Sequence, residues 1–168
     1  MKLRKEFEPQ IEIARKNYST IKKKILDYTD YCDENGDEDS SKYKELEYEL
    51  HKLTGKDMSK FNLWEWWEVD GIENLAFRIA LPKPNKITNI TKEELKEILT
   101  RTNPFEVPKE LENDELLMLL HTNKRYYYHD LLKLNFDKYN FKYFMRNKDK
   151  NGNYFEYSID EIVEKLGG

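Results

Sequence analysis

The chain has 168 residues and a mass of 20.4 kDa, with 37% charged and 38% hydrophobic residues and a formal net charge of -4. That length suits one compact domain with a real core, and an aromatic share of 14% is too rich for a disordered chain. The negative charge disfavours unaided binding to phosphate backbones, and the single cysteine, Cys32, rules out both an intramolecular disulfide and a cysteine-based zinc site.

After Pro9, apolar or small residues recur at Ile11, Ala14, Tyr18, Ile21, Ile25, Tyr28 and Cys32. Alternating steps of three and four place them on one face of a helix. A second stripe, Tyr43, Leu46, Leu50 and Leu53, ends at Gly55, a residue suited to closing a helix. The two stripes predict an antiparallel helical hairpin at about 9–55. Its connection carries Asp33, Glu34, Asp37, Glu38 and Asp39.

That acidic run invites a calcium reading, which the register argues against. An EF-hand loop starting at Asp33 would need glycine at its sixth position and a bidentate glutamate at its twelfth. Those positions hold Glu38 and Lys44. The stretch Asp149–Asn153 departs from the pattern in the same way, since glycine falls at its fourth position. No metal or other cofactor is expected.

The segment "FNLWEWWEV", 61–69, changes period and predicts a strand near 62–69. In a strand, Trp64, Trp66 and Trp67 cannot all face one side, so at least one ring is expected at the surface. Asp70 with Glu73 resembles a helix-start box ahead of Ile72, Leu75, Ala76 and Ile79, a helix that Pro82 and Pro84 end. Thr91 with Glu94 opens another helix through Leu95, Ile98 and Leu99. Residues 102–113 read as a loop. Asn113 is placed to cap a helix through Leu116, Leu117, Leu119 and Leu120, and "HTNK", 121–124, reads as a break before a further helix with Tyr127, Leu131 and Leu134. "YNFKYFMRN" alternates in the manner of a strand and, with "YFEYS", predicts a β-hairpin over 140–157. Ser158 with Glu161 then caps a short final helix.

The expected fold is a single, predominantly helical α+β domain over 1–168, with the helical hairpin first, a mixed remainder at about 60–168, and the β-hairpin and short helix last. No phosphate loop, nucleophile elbow or paired metal-binding histidines occur in the sequence, and an enzyme is not expected. The histidines are His51, His121 and His129, of which His129 beside Asp130 alone suggests an oriented imidazole.

Residues 1–26 carry eight Lys or Arg against three Glu, whereas 27–50 carry ten acidic residues against Lys42 and Lys44. A small, acidic, aromatic-rich chain of cytoplasmic type without a catalytic signature resembles the bacterial immunity proteins that neutralise polymorphic or contact-delivered toxins. The resemblance is one of type, carried by size, charge and composition. It implies a binding protein that occludes a cognate protein toxin, often a basic nuclease. The expected partner-binding residues are the carboxylates Asp33, Glu34, Asp37, Glu38 and Asp39 and the rings Trp64, Trp66, Tyr126 and Tyr128. The alternative is a nucleic-acid-binding or regulatory protein using Lys22 to Lys24 of the first helix, and a hydrolase centred on His129 is a third reading.

Overall fold

A computed structural model of the chain describes residues 2–69, 71–103, 111 and 113–167. The protein is mostly helical, with a small antiparallel two-stranded sheet near its C-terminus. It groups into two compact units that interleave along the sequence, one made of 10–82 with 107–123 and the other of 1–9, 83–106 and 124–168.

In the first unit, α1 spans Ile11–Asn35 and α2 spans Ser41–Thr54. The expected stripes are the buried faces: Ala14, Tyr18, Ile21 and Ile25 on α1, Leu46 and Leu50 on α2. Lys24 pairs with Glu49 and Tyr28 meets Tyr43, so positions rise along one helix as they fall along the other. The helices are therefore antiparallel. Gly36 closes α1 at a φ of 71° and Gly55 closes α2 at 69°, both in the left-handed region that favours glycine.

The tryptophan segment is not a strand. Residues 62–65 bend, and Trp66–Val69 form a single helical turn, α3. The side-chain oxygen of Asn62 accepts from the backbone N–H of both Trp64 and Glu65, which folds the chain back on itself where a strand would run straight. Asp70 lies outside the described residues, so the expected box at α4 does too. The helix itself, α4 at Gly71–Ala80, buries Ile72, Leu75, Ala76, Phe77, Ile79 and Ala80. It is the main packing partner of α1.

The end of α4 has an unusual cap. The carbonyl of Arg78 would ordinarily receive the N–H of residue 82, but Pro82 has none. The buried ammonium of Lys56 donates to it instead, at 2.6 Å, and also to the carbonyl of Leu81.

In the second unit, α5 at Lys92–Arg101 packs on α7 at Ile159–Leu166. Both expected capping boxes form, Thr91 with Glu94 and Ser158 with Glu161. Lys96 pairs with Asp160 across the two helices at 2.6 Å. Glu94 is buried because Arg4 reaches it at 2.6 Å, and this guanidinium holds the carboxyl below its usual range.

Most of the expected loop at 102–113 lies outside the described residues. Helix α6 runs unbroken from Glu115 to Asn135, through the expected break at 121–124, and contributes to both units. Two of the polar residues there bond back along the helix: Thr122 Oγ1 donates to the Met118 carbonyl and Asn123 Nδ2 to that of Leu119, the latter also reaching Asn74 Oδ1. Its start is capped by Asp114, which accepts from the N–H of Leu116 and Leu117, in place of the expected Asn113.

The β-hairpin is much shorter than its alternation suggested. Strands β1, Asn147–Lys148, and β2, Tyr154–Phe155, pair in the register Asn147 with Phe155 and Lys148 with Tyr154. Phe141–Phe144 instead form a 3-10 turn, because the Asn140 side chain accepts from the N–H of Lys142 and curls the chain. The Asp149 carboxylate, expected to hold no calcium, accepts from the N–H of Asn151 and Asn153 and so organises the turn.

Candidate functional site

The acidic connection between α1 and α2 divides into two kinds of carboxylate. Asp37 accepts from the backbone N–H of Lys42 and of Tyr43 and from the Tyr28 hydroxyl, so it caps the first turn of α2. Asp39 accepts from the N–H of Ser41, which holds its carboxyl below the usual range. Negative charge at a helix N-terminus also meets the positive end of the helix dipole. Asp33, Glu34 and Glu38 are exposed. The free charge of this end rests with them and with the outer oxygens of Asp39.

Behind the carboxylates runs a chain of five rings in edge-to-face contact. Tyr43 meets Tyr28 at 5.7 Å between centroids, Tyr28 meets Trp64 at 5.9 Å, Trp64 meets Trp67 at 5.8 Å, and Trp67 meets Trp66 at 5.5 Å. The bend at Asn62 brings Trp64 back against the helical hairpin. Trp64 and Trp66 are half-buried, and the Trp66 indole N–H donates to Thr29 Oγ1 on α1 at 3.1 Å. Trp67, which was not among the expected binding residues, is the exposed member, at 50%. Its position in "WEWWE" signalled that one ring would emerge, but the ring's identity depended on the bend.

A pocket of about 460 Å³ opens between these groups, lined by Tyr28, Cys32, Gly36, Asp37, Ser40, Tyr43 and Trp64. Burial pushes the Tyr28 hydroxyl far above its usual range, and Cys32 and Asp37 add to the effect, so it stays protonated and donates to Asp37.

The expected rings of α6 lie in the other unit and differ from each other. Tyr126 is 66% exposed, whereas Tyr128 is 2% exposed and offers no face to a partner. Successive helical positions differ by about 100°, so three adjacent tyrosines cannot share one environment. The Tyr128 hydroxyl belongs to an internal network: Arg101 donates to it at 2.8 Å and to Glu8 at 2.8 Å, and pairs with Glu97 at 3.0 Å. Burial alone would lower Arg101, but its hydrogen bonds to Tyr128, Glu8 and Glu97 more than offset this and raise it. Burial pushes Tyr128 up to about 12.

The basic face of α1 is neutralised within its own unit. Lys22 pairs with Glu73 at 2.8 Å, Lys23 with Asp27 at 2.6 Å and Lys24 with Glu49 at 2.6 Å. His129 is buried beneath Tyr139, Phe141 and Phe144, with Nδ1 bonded to the Tyr139 hydroxyl at 3.0 Å rather than to Asp130. Its Nε2 is buried without a hydrogen-bond partner. Among the described residues, no group of three His, Cys, Asp or Glu side chains could hold a metal ion, and no helix is long and apolar enough to cross a membrane.

No protein-family model matches the chain, and neither a curated protein nor a solved structure matches it significantly.

Proposed function

We propose that the protein is a non-enzymatic binding inhibitor, an immunity protein that neutralises a cognate bacterial toxin in the cytoplasm by direct binding and occlusion. One observation carries this reading. The ring chain that ends in the exposed Trp67 begins at Tyr28 and Tyr43 against Asp37, within the acidic connection whose Asp33, Glu34 and Glu38 are exposed. Aromatic rings with a charged surround are the composition of interface hot spots, where the ring supplies buried area and the charge supplies steering. A basic toxin such as a nuclease is the partner this surface complements.

The nucleic-acid reading has less support, because Lys22, Lys23 and Lys24 each face a carboxylate of their own unit. The direct experiment is co-purification with the product of the adjacent upstream gene, followed by rescue of cells expressing that product. A stable complex with rescue is the expected result. No complex and no rescue would sink the proposal, and salt-dependent binding to generic DNA or RNA would favour the alternative.

A further inference from the structure

We infer that the pocket between α1, α2 and Trp64 is a cation-binding cage that receives a single arginine side chain from a basic protein partner. This inference deepens the inhibitor reading and rests on it for the identity of the partner. Three of the pocket's walls are aromatic: Tyr28, Tyr43 and Trp64. Tyr28 packs edge-to-face on Tyr43 and on Trp64, at 65° and 73°, so the three rings are held steeply inclined to one another where they line the pocket. A guanidinium entering that space meets more than one π-surface, and ring quadrupoles attract cations.

The fourth element is Asp37. A carboxylate offers roughly four acceptor sites. Three donors reach Asp37, the N–H of Lys42, the N–H of Tyr43 and the Tyr28 hydroxyl, and its carboxylate lines the pocket. The nearby cation Lys42 turns to Glu45 at 2.7 Å and lies over Tyr31, which does not line the pocket.

The surround favours a protein side chain over a free amine. Asp33, Glu34 and Glu38 are exposed and extend the negative field well beyond the space of one small ion. Trp67 continues the aromatic surface outward from Trp64 and offers contact area that a small amine would leave uncovered. Arginine suits the cage better than lysine, because its planar guanidinium stacks on rings and is more weakly hydrated than an ammonium.

Cys32 lines the same pocket and is the chain's single cysteine, so it reports on occupancy. The experiment follows the alkylation rate of Cys32 by the neutral reagent N-ethylmaleimide in the intact protein. It adds acetyl-Gly-Arg-Gly-amide, the same peptide with citrulline in place of arginine, or tetramethylammonium chloride, each at about 5 mM, where binding of one side chain falls. The arginine peptide is expected to slow alkylation roughly twofold or more, an effect that fades at high salt, while the citrulline peptide does not. Trp64→Leu, with helix content confirmed by circular dichroism, should lose the protection, and Asp37→Asn should weaken it.

Equal protection by the citrulline peptide, no protection by any probe, or protection by tetramethylammonium alone would overturn the inference. If the peptides fail while a toxin complex forms, the cage is wrong and the inhibitor reading stands. If the arginine peptide protects and no complex or rescue is found, the inhibitor reading fails and the cage stands.

Discussion

At the scale of single residues, His129 and Lys56 are two buried titratable side chains that act on stability in different ways. His129 is 8% exposed, and burial, helped by the neighbouring Arg125, pushes its imidazole down to about 4 from an ordinary value of 6.5. The unfolded chain therefore binds more protons than the folded one between those values. Stability from this residue is complete above pH 6.5 and falls as the pH drops towards 4, by about 3 kcal/mol in all. His129→Gln should remove that part of the acid sensitivity. Urea midpoints of the protein and the variant at pH 7 and pH 4.5 would show it, as a smaller shift in the variant. Lys56 is the second case, since its ammonium stands in for the N–H that Pro82 lacks. Lys56→Met keeps the side-chain stem but withdraws the donor from the carbonyls of Arg78 and Leu81. It should cost about 2 kcal/mol in denaturant unfolding, the cost of leaving a buried polar group unpaired.

At the scale of elements, the acidic connection is first a capping device. Asp37 satisfies two backbone donors at the start of α2, and Asp37→Ala should cost about 1–2 kcal/mol of stability, with fraying of the first turn seen as faster amide exchange at Lys42 and Tyr43. Ser158 has the same role for α7, where Ser158→Ala should cost about 1 kcal/mol. The same arithmetic explains why the tryptophan segment and Phe141–Phe144 are turns. In each, one asparagine side chain accepts from backbone N–H groups two or three residues ahead, and that local bond outcompetes an extended strand that has no neighbour to pair with.

At the scale of the whole molecule, a net charge of -4 understates the asymmetry that a partner would meet. Lys22, Lys23 and Lys24 of α1 are paired internally, whereas Asp33, Glu34 and Glu38 at the α1–α2 connection are exposed. The combined variant Asp33→Asn, Glu34→Gln, Glu38→Gln should slow association with a basic toxin by roughly tenfold at low salt and leave dissociation nearly unchanged, as measured by stopped-flow binding at two ionic strengths. These three residues cap nothing among the hydrogen bonds above, so helix content should be unaltered.

The helical hairpin, the capping boxes at Thr91 and Ser158, and the closing glycine Gly55 were legible from sequence because each is written within a few turns of one chain segment. A stripe at steps of three and four, or a serine three residues before a glutamate, carries its own physical cause. The half-burial of Trp66, the burial of Tyr128 and the pocket beside Asp37 were not legible in this way. Each depends on which distant residue arrives: α1 receiving Trp66 through Thr29, Arg101 and Glu8 claiming the Tyr128 hydroxyl, Trp64 closing on Tyr28. Local hydrogen bonding and periodicity determined the elements by themselves. Which rings are exposed and which are buried was decided by contacts between residues far apart in the chain, because burial is a property of neighbours in space.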